Sequence, residues 1–269
     1  MQAALFSAGL GDVIQNIYRT AAYRFISETR EPVPVIVASH NPFTMEIFRF
    51  HRNARNFLLY DLAHKYEEFL DAGLRGWEID RALVEFVGLQ YKDLVRGGAR
   101  DFRPEFDAPD TLPSSGHIVF QPFSGNANYR TLPVEAIEKI VTLLRAQPRQ
   151  VFLITRSYIR SAGGGGKVIH TEENAQRFAG GNITVLEHLS VPATLNLIRS
   201  SAGFVGSWSS LQQAAWLENK PVAVYYPEGF TQIKEGSHYA FGIHRDDCVH
   251  AEYSSLDLEK LRAWLVNLR

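Results

Sequence analysis

The stretch VGSWSSLQQAAWLENKPVAVYY, residues 205–226, shows the repeating unit of the whole chain. An apolar run ends at Gly206, and hydroxyl residues follow at Ser207, Ser209 and Ser210. A helical pattern comes next, and Pro221 then opens a second β-type run. Strand, helix and strand in this order build a parallel sheet, because parallel neighbours need a crossover connection. The unpaired N–H groups at a helix start carry partial positive charge, so the place suits an anion. Serines are also preferred there as N-caps, for the same reason. Both readings stand on this stretch alone.

The same alternation extends outward over the chain. Strand patterns fall at 3–6, 34–39, 56–60, 117–121, 150–155, 182–186, 202–206 and 221–226. Helical patterns fall at 12–27, 41–51, 62–71, 78–89, 133–146, 172–179, 191–200 and 256–268. Between the two halves runs RPEFDAPDTLPSSG (103–116), proline-rich and without periodicity, which reads as a linker. The expectation is an α/β protein of two Rossmann-like domains, 1–110 and 111–269, with parallel sheets facing a central cleft. The last helix is free in this reading to pack back on the first domain.

Composition excludes several classes. Of 269 residues 45% are hydrophobic and 21% charged, as in packed globular proteins. The net charge of −1 offers no basic excess for nucleic acid, and RFHRNAR (49–55) reads as a solvated helix end. A single cysteine, Cys248, leaves no internal disulfide or cysteine-rich zinc site and suits a reducing cytoplasm. No apolar run is long enough to span a bilayer, and MQAALFSAGLGD lacks the pattern of a signal peptide. A cytoplasmic location is expected.

Three loops have the composition of ligand sites. In FSAGLGDVIQN (6–16), Gly9 and Gly11 allow a sharp strand-to-helix turn, and Asp12 at the helix start suits either a cap or a general base. The third glycine of a dinucleotide fingerprint is absent, which weakens a nicotinamide reading. In QPFSGNANYRTLP (121–133), Ser124, Gly125, Asn126 and Asn128 can present backbone N–H groups while Arg130 supplies a guanidinium fork. That combination suits a phosphate, although a capped loop with a solvated arginine has the same composition. IRSAGGGGKV (159–168) fails the P-loop pattern at Ser161 and Val168 and reads as a flexible loop. The nine histidines show no ligand spacing, and no Asp-x-Asp pair exists to hold a metal on a diphosphate.

Together these stretches resemble the heptosyltransferase family of GT-B glycosyltransferases. Gly9-Leu10-Gly11-Asp12 matches the family's G-x-G-D turn, whose Asp is the proposed base. Arg130-Thr131-Leu132-Pro133 is similar to its basic-x-W-P helix start, with Leu132 for Trp. Leu186 to Ser190 match L-x-x-(L/M)-S, which implies that Leu189 packs near the nucleotide base. The opening stretch follows D-T-G-x-S-H-L-A-A-A-L-G-K-P with Ser207 for Asp, Trp208 for Thr, Ser209 for Gly and Gln212 for His.

The resemblance implies a metal-independent, inverting glycosyltransferase that needs no cofactor beyond its nucleoside-diphosphate-sugar donor. The acceptor is a glycan or another hydroxyl compound. Asp12 would take the acceptor proton, and Arg130, the 124–128 loop and the 207–210 helix start would hold the diphosphate. Gly206 forms the turn, and Glu172 or Glu173 is a candidate for the ribose. Alternatives are the same fold acting on nucleic acid bases or on protein, a non-catalytic nucleotide-binding protein, and a nicotinamide oxidoreductase.

Overall fold

The computed structural model describes residues 1–39, 41–98, 102–107, 115–123, 132–160, 166–170, 175–228 and 245–268. The chain divides into two compact units, Met1–Asp110 with Ser190–Ala193, and Thr111–Leu189 with Thr194–Arg269.

The first unit holds a three-stranded parallel sheet in the order β1 (Ala4–Ala8), β2 (Val33–Ser39), β3 (Phe57–Asp61). Every residue of VPVIVAS in β2 is buried, as a strand between two neighbours and covered on both faces must be. Helices α1 (Leu10–Arg19) and α2 (Ala21–Glu28) connect β1 to β2, and α3 (Thr44–Arg49) precedes β3. Helices α4 (Ala63–Asp71) and α5 (Trp77–Phe86) cover one side, where Ile79, Leu83 and Val84 pack with Ile36, Ala38 and Leu62.

One helix was expected over 12–27, and two are found. Thr20 is extended, its hydroxyl donates to the Asn16 carbonyl at 2.7 Å, and Ala21 N–H donates to the Gly97 carbonyl at 2.9 Å. A distant backbone segment therefore takes the hydrogen bond that would have continued the helix. The pattern at 41–51 yields only the short α3, because Asn41 spends its side chain on a turn, accepting from Phe43 N–H at 3.0 Å.

The second unit holds six parallel strands. They are β4 (Ile118–Gln121), β5 (Val151–Ile154), β8 (Ile183–Leu186), β9 (Gly203–Ser207), β10 (Val222–Tyr226) and β11 (Cys248–Glu252), in the order β11-β10-β9-β4-β5-β8. β6 (Arg156–Arg160) and β7 (Gly166–His170) pair as an antiparallel hairpin. The glycine-rich stretch expected as a loop is thus flanked by strands, in keeping with the β-type residues on either side of it. β11 was not foreseen, because CVHAE has too little apolar character. As an edge strand it is only partly buried.

Helix α6 (Val134–Arg145) follows Pro133, whose fixed φ suits a helix start. Its Ile137, Ile140, Val141 and Leu144 pack in one core with Leu261, Trp264, Leu265 and Leu268 of the last helix, α9 (Leu258–Val266), and its end. The apolar face of α9 packs in the core of the second unit. Gly203 permits that approach, since a Cβ there would lie 2.9 Å from the Leu268 side chain. Helices α7 (Val191–Ser200) and α8 (Ser210–Leu217) complete the crossovers and are tied by Arg199 to the buried Glu218 carboxylate at 2.6 Å. No helix among the described residues is long and apolar enough to cross a membrane.

Candidate functional site

In a doubly wound sheet, ligands bind beyond the carboxyl ends of the strands where the winding direction reverses. In the second unit that point is β4 beside β9. From β4 the chain moves outward to β5 and β8, then returns to the other side of β4 and continues through β9, β10 and β11. The turn after β9 is the serine-rich stretch.

Gly206 is required there by close approach. It pairs with Gln121 at the end of β4, and a Cβ on it would lie 2.3 Å from the Gln121 carbonyl oxygen. Gly206→Ala is expected to force β4 and β9 apart and to cost roughly 1–3 kcal/mol, the usual penalty of overpacking. A thermal melt reads this directly, and an unchanged midpoint would refute the close approach.

The serines have distinct roles. Ser209 is the N-cap of α8: its hydroxyl accepts from Gln212 N–H at 3.2 Å and donates to Gln121 Oε1 at 2.5 Å. Gln121 Nε2 in turn donates to the Phe123 carbonyl. These bonds join the turn after β9 to the end of β4. Among the described residues, the fully buried Ser207 has no partner for its hydroxyl, and Gln212, 1% exposed, has none for Oε1. Ser210, the first residue of α8, is half-buried. Capping is therefore observed for Ser209. Gln121 is not singled out by the sequence, because the contact that makes it a polar anchor, to Ser209, spans the fold.

Leu189 is 9% exposed, and Ser190 accepts from Ala193 N–H at 3.3 Å at the start of α7. Ser124, Gly125, Asn126, Asn128, Arg130, Glu172 and Glu173 lie outside the described residues. Among the described residues no three His, Cys, Asp or Glu side chains group as a metal site.

In the first unit the turn after β1 takes its shape from an unexpected residue. Ala8 holds φ +75°, whereas Gly9 is extended at φ −79° and Gly11 is helical. A non-glycine residue in the left-handed region stores roughly 1–2 kcal/mol of strain. Asp12 accepts from Gly9 N–H at 3.1 Å through Oδ2, closing the helix start. Its Oδ1 has no hydrogen bond among the described residues, and the side chain is partly exposed.

Ser7 donates to Asp80 Oδ1 at 2.9 Å, bringing a second carboxylate from α5 to the same strand end. Burial raises the Asp80 pKa, against the opposing effects of the Ser7 hydrogen bond and the Arg96 charge. Asp80 was missed in the sequence. It stands in the acidic first turn of a helix, which is an ordinary place for a carboxylate.

Solved structures with this fold include E. coli ADP-heptose lps heptosyltransferase II, with TM-score 0.54 and 13% identity over 98% of this chain and 99% of that chain. A glycosyl transferase family 9 protein from Veillonella parvula has TM-score 0.49 and 8% identity over 99% of this chain and 90% of that one. E. coli heptosyltransferase WaaC with ADP has TM-score 0.45 and 12% identity over 93% and 76% of the respective chains. No family model and no curated protein matches the sequence. The first of these likenesses shows the fold: α/β of the GT-B kind, with a parallel sheet in each of two Rossmann-like units.

Proposed function

We propose that the protein is a metal-independent, inverting glycosyltransferase that moves a sugar from a nucleoside-diphosphate sugar to an acceptor hydroxyl. The observation that carries this reading is the switch point of the second sheet. There Gly206 brings two strand ends together, Ser209 fixes the turn to Gln121, and α8 directs its first N–H groups beyond the strand ends. A helix start needs no metal to favour an anion. In this reading the leaving diphosphate lies there, Leu189 packs near the base, and Arg130 with Ser124, Gly125 and Asn126 shares the charge. Glu173 serves the ribose. Asp12 takes the acceptor proton through Oδ1 while Oδ2 keeps its bond to Gly9. Support also comes from the fold shared with E. coli ADP-heptose lps heptosyltransferase II, whose name specifies a nucleotide-sugar donor.

The test is a panel of ADP-, UDP- and GDP-sugars, followed by melting temperature and by release of nucleoside diphosphate, each with and without EDTA. The expected result is that one donor raises the melting temperature by mass action and is turned over in EDTA. Stabilisation without turnover by any acceptor would favour a non-catalytic nucleotide-binding protein. Activity restored only by magnesium or manganese would overturn metal independence. No stabilisation by any donor would remove the reading.

A further inference from the structure

We propose that Asp80 is a positioning residue for Asp12: its bond to Ser7 holds the strained turn at Ala8 that presents the Asp12 carboxylate. The inference rests on the reading of Asp12 as the acceptor's base and adds the group that keeps that base in place.

The turn stands where the first sheet changes direction. From β1 the chain moves outward through β2 and β3, then returns through α4 and α5 to the other side of β1. There Ala3 N–H donates to the Asp93 carbonyl and Val95 N–H to the Ala3 carbonyl, each at 2.9 Å. The carboxyl end of β1 is therefore the switch point of this unit, where a ligand is met. Alternation along β1 sorts its side chains. Phe6 packs against the Tyr23 and Phe48 rings, whereas Leu5 packs on the cluster of Ile79, Leu83 and Val84 from α5. Ser7 shares the Leu5 face, so it meets the first turn of α5 and donates to Asp80 Oδ1 at 2.9 Å.

Asp80 does not serve its own helix. The start of α5 has Gly76 as N-cap and Glu78, whose carboxylate accepts from Arg75 N–H at 3.2 Å. Among the described residues, Ser7 is the hydrogen-bond donor to the Asp80 carboxylate. Burial raises the Asp80 pKa, so this carboxylate gives up hydration to reach Ser7. An exposed one would favour the helix start without that cost.

The bond secures the residue that follows. Ala8 holds φ +75°, a conformation that a Cβ disfavours and that persists only where the surroundings impose it. On one side Ser7 is tied to Asp80, and on the other Gly9 N–H is tied to Asp12 Oδ2 at 3.1 Å. Two carboxylates from different helices thus clamp one strained residue. Releasing the Ser7 side lets Ala8 relax and moves the start of α1, with Asp12 on it.

The test measures nucleoside diphosphate release from ADP-, UDP- and GDP-sugars beside ¹H–¹⁵N NMR of the full chain. Asp80→Ala is expected to lower kcat about ten- to hundredfold, as a small misplacement of a reacting group does, with the donor KM unchanged. Ser7→Ala removes the same bond from its other end and should reproduce the loss. Asp80→Asn, whose amide oxygen still accepts from Ser7, should retain most of the rate. Adding Ala8→Gly to Asp80→Ala should restore much of it, because glycine takes a positive φ without strain. The Gly9 amide signal should shift in Asp80→Ala and hold its place in Asp80→Asn.

Equal losses in Asp80→Asn and Asp80→Ala would mean that the charge itself acts, which overturns positioning. A Gly9 amide unmoved in Asp80→Ala, or no rescue by Ala8→Gly, would overturn the clamp. A parent chain that turns over none of the donors removes the glycosyltransferase reading, and the Gly9 amide still decides the clamp. The two readings therefore fail separately.

Discussion

Asp12→Asn is expected to lower sugar transfer by roughly 10²–10⁴-fold while leaving donor binding intact, the usual range for loss of general-base help. The substitution is close to isosteric. An asparagine oxygen can still accept the Gly9 N–H that Asp12 Oδ2 holds at 3.1 Å, so the turn and α1 persist. What is lost is the proton acceptor at Oδ1, together with a favourable charge at the helix start worth about 0.3–1 kcal/mol. A small drop in melting temperature with a large drop in turnover is therefore the expected signature. Near-normal turnover with the same small drop would leave Asp12 as a cap alone. Asp80→Asn, measured beside it, shows whether the carboxylate bonded to Ser7 shares the role.

The second large effect is on stability. His51 is 6% exposed, and its Nδ1 accepts from Asn53 N–H at 3.0 Å. The ring proton therefore sits on Nε2, which donates to Ser27 Oγ at 3.1 Å, and Ser27 donates to the Tyr23 carbonyl at 2.8 Å. Adding a second proton would set two N–H groups against each other inside a cluster that includes the Tyr23 and Phe57 rings. Burial first, and the Arg52 charge second, lower its pKa from 6.5 to about 4.

Because the folded pKa is depressed, the unfolded chain takes up the proton first as pH falls. Stability from this group is complete above about pH 6.5 and is lost progressively down to about pH 4. The full loss is on the order of 3 kcal/mol. Urea unfolding at pH 7 and pH 4.5 should show most of it. His51→Gln, which keeps one acceptor and one donor, should lose that dependence while the carboxylates keep theirs. Parallel pH curves for the two proteins would show that His51 is not the cause.

The sequence by itself determined the periodic part of this protein. Buried strands such as VPVIVAS and VAVYY are near-continuous apolar runs, the face of α6 repeats at helical spacing, and Ser209 and Pro133 occupy helix starts. Each of these preferences is set within a few residues, so local pattern is enough to read them.

The tertiary structure alone decided what depends on segments far apart in the chain. The break at Thr20 exists because the Gly97 carbonyl takes the Ala21 N–H. Asp80 reaches Ser7 across 73 residues, and Ser209 reaches Gln121 across 88. The same folding buries Ser207 and makes Gly206 indispensable, through a Gln121 carbonyl that comes within 2.3 Å of where a Cβ would be. A residue's type states which bonds it can make, but only packing fixes which partner lies within 3 Å and whether water can still reach it.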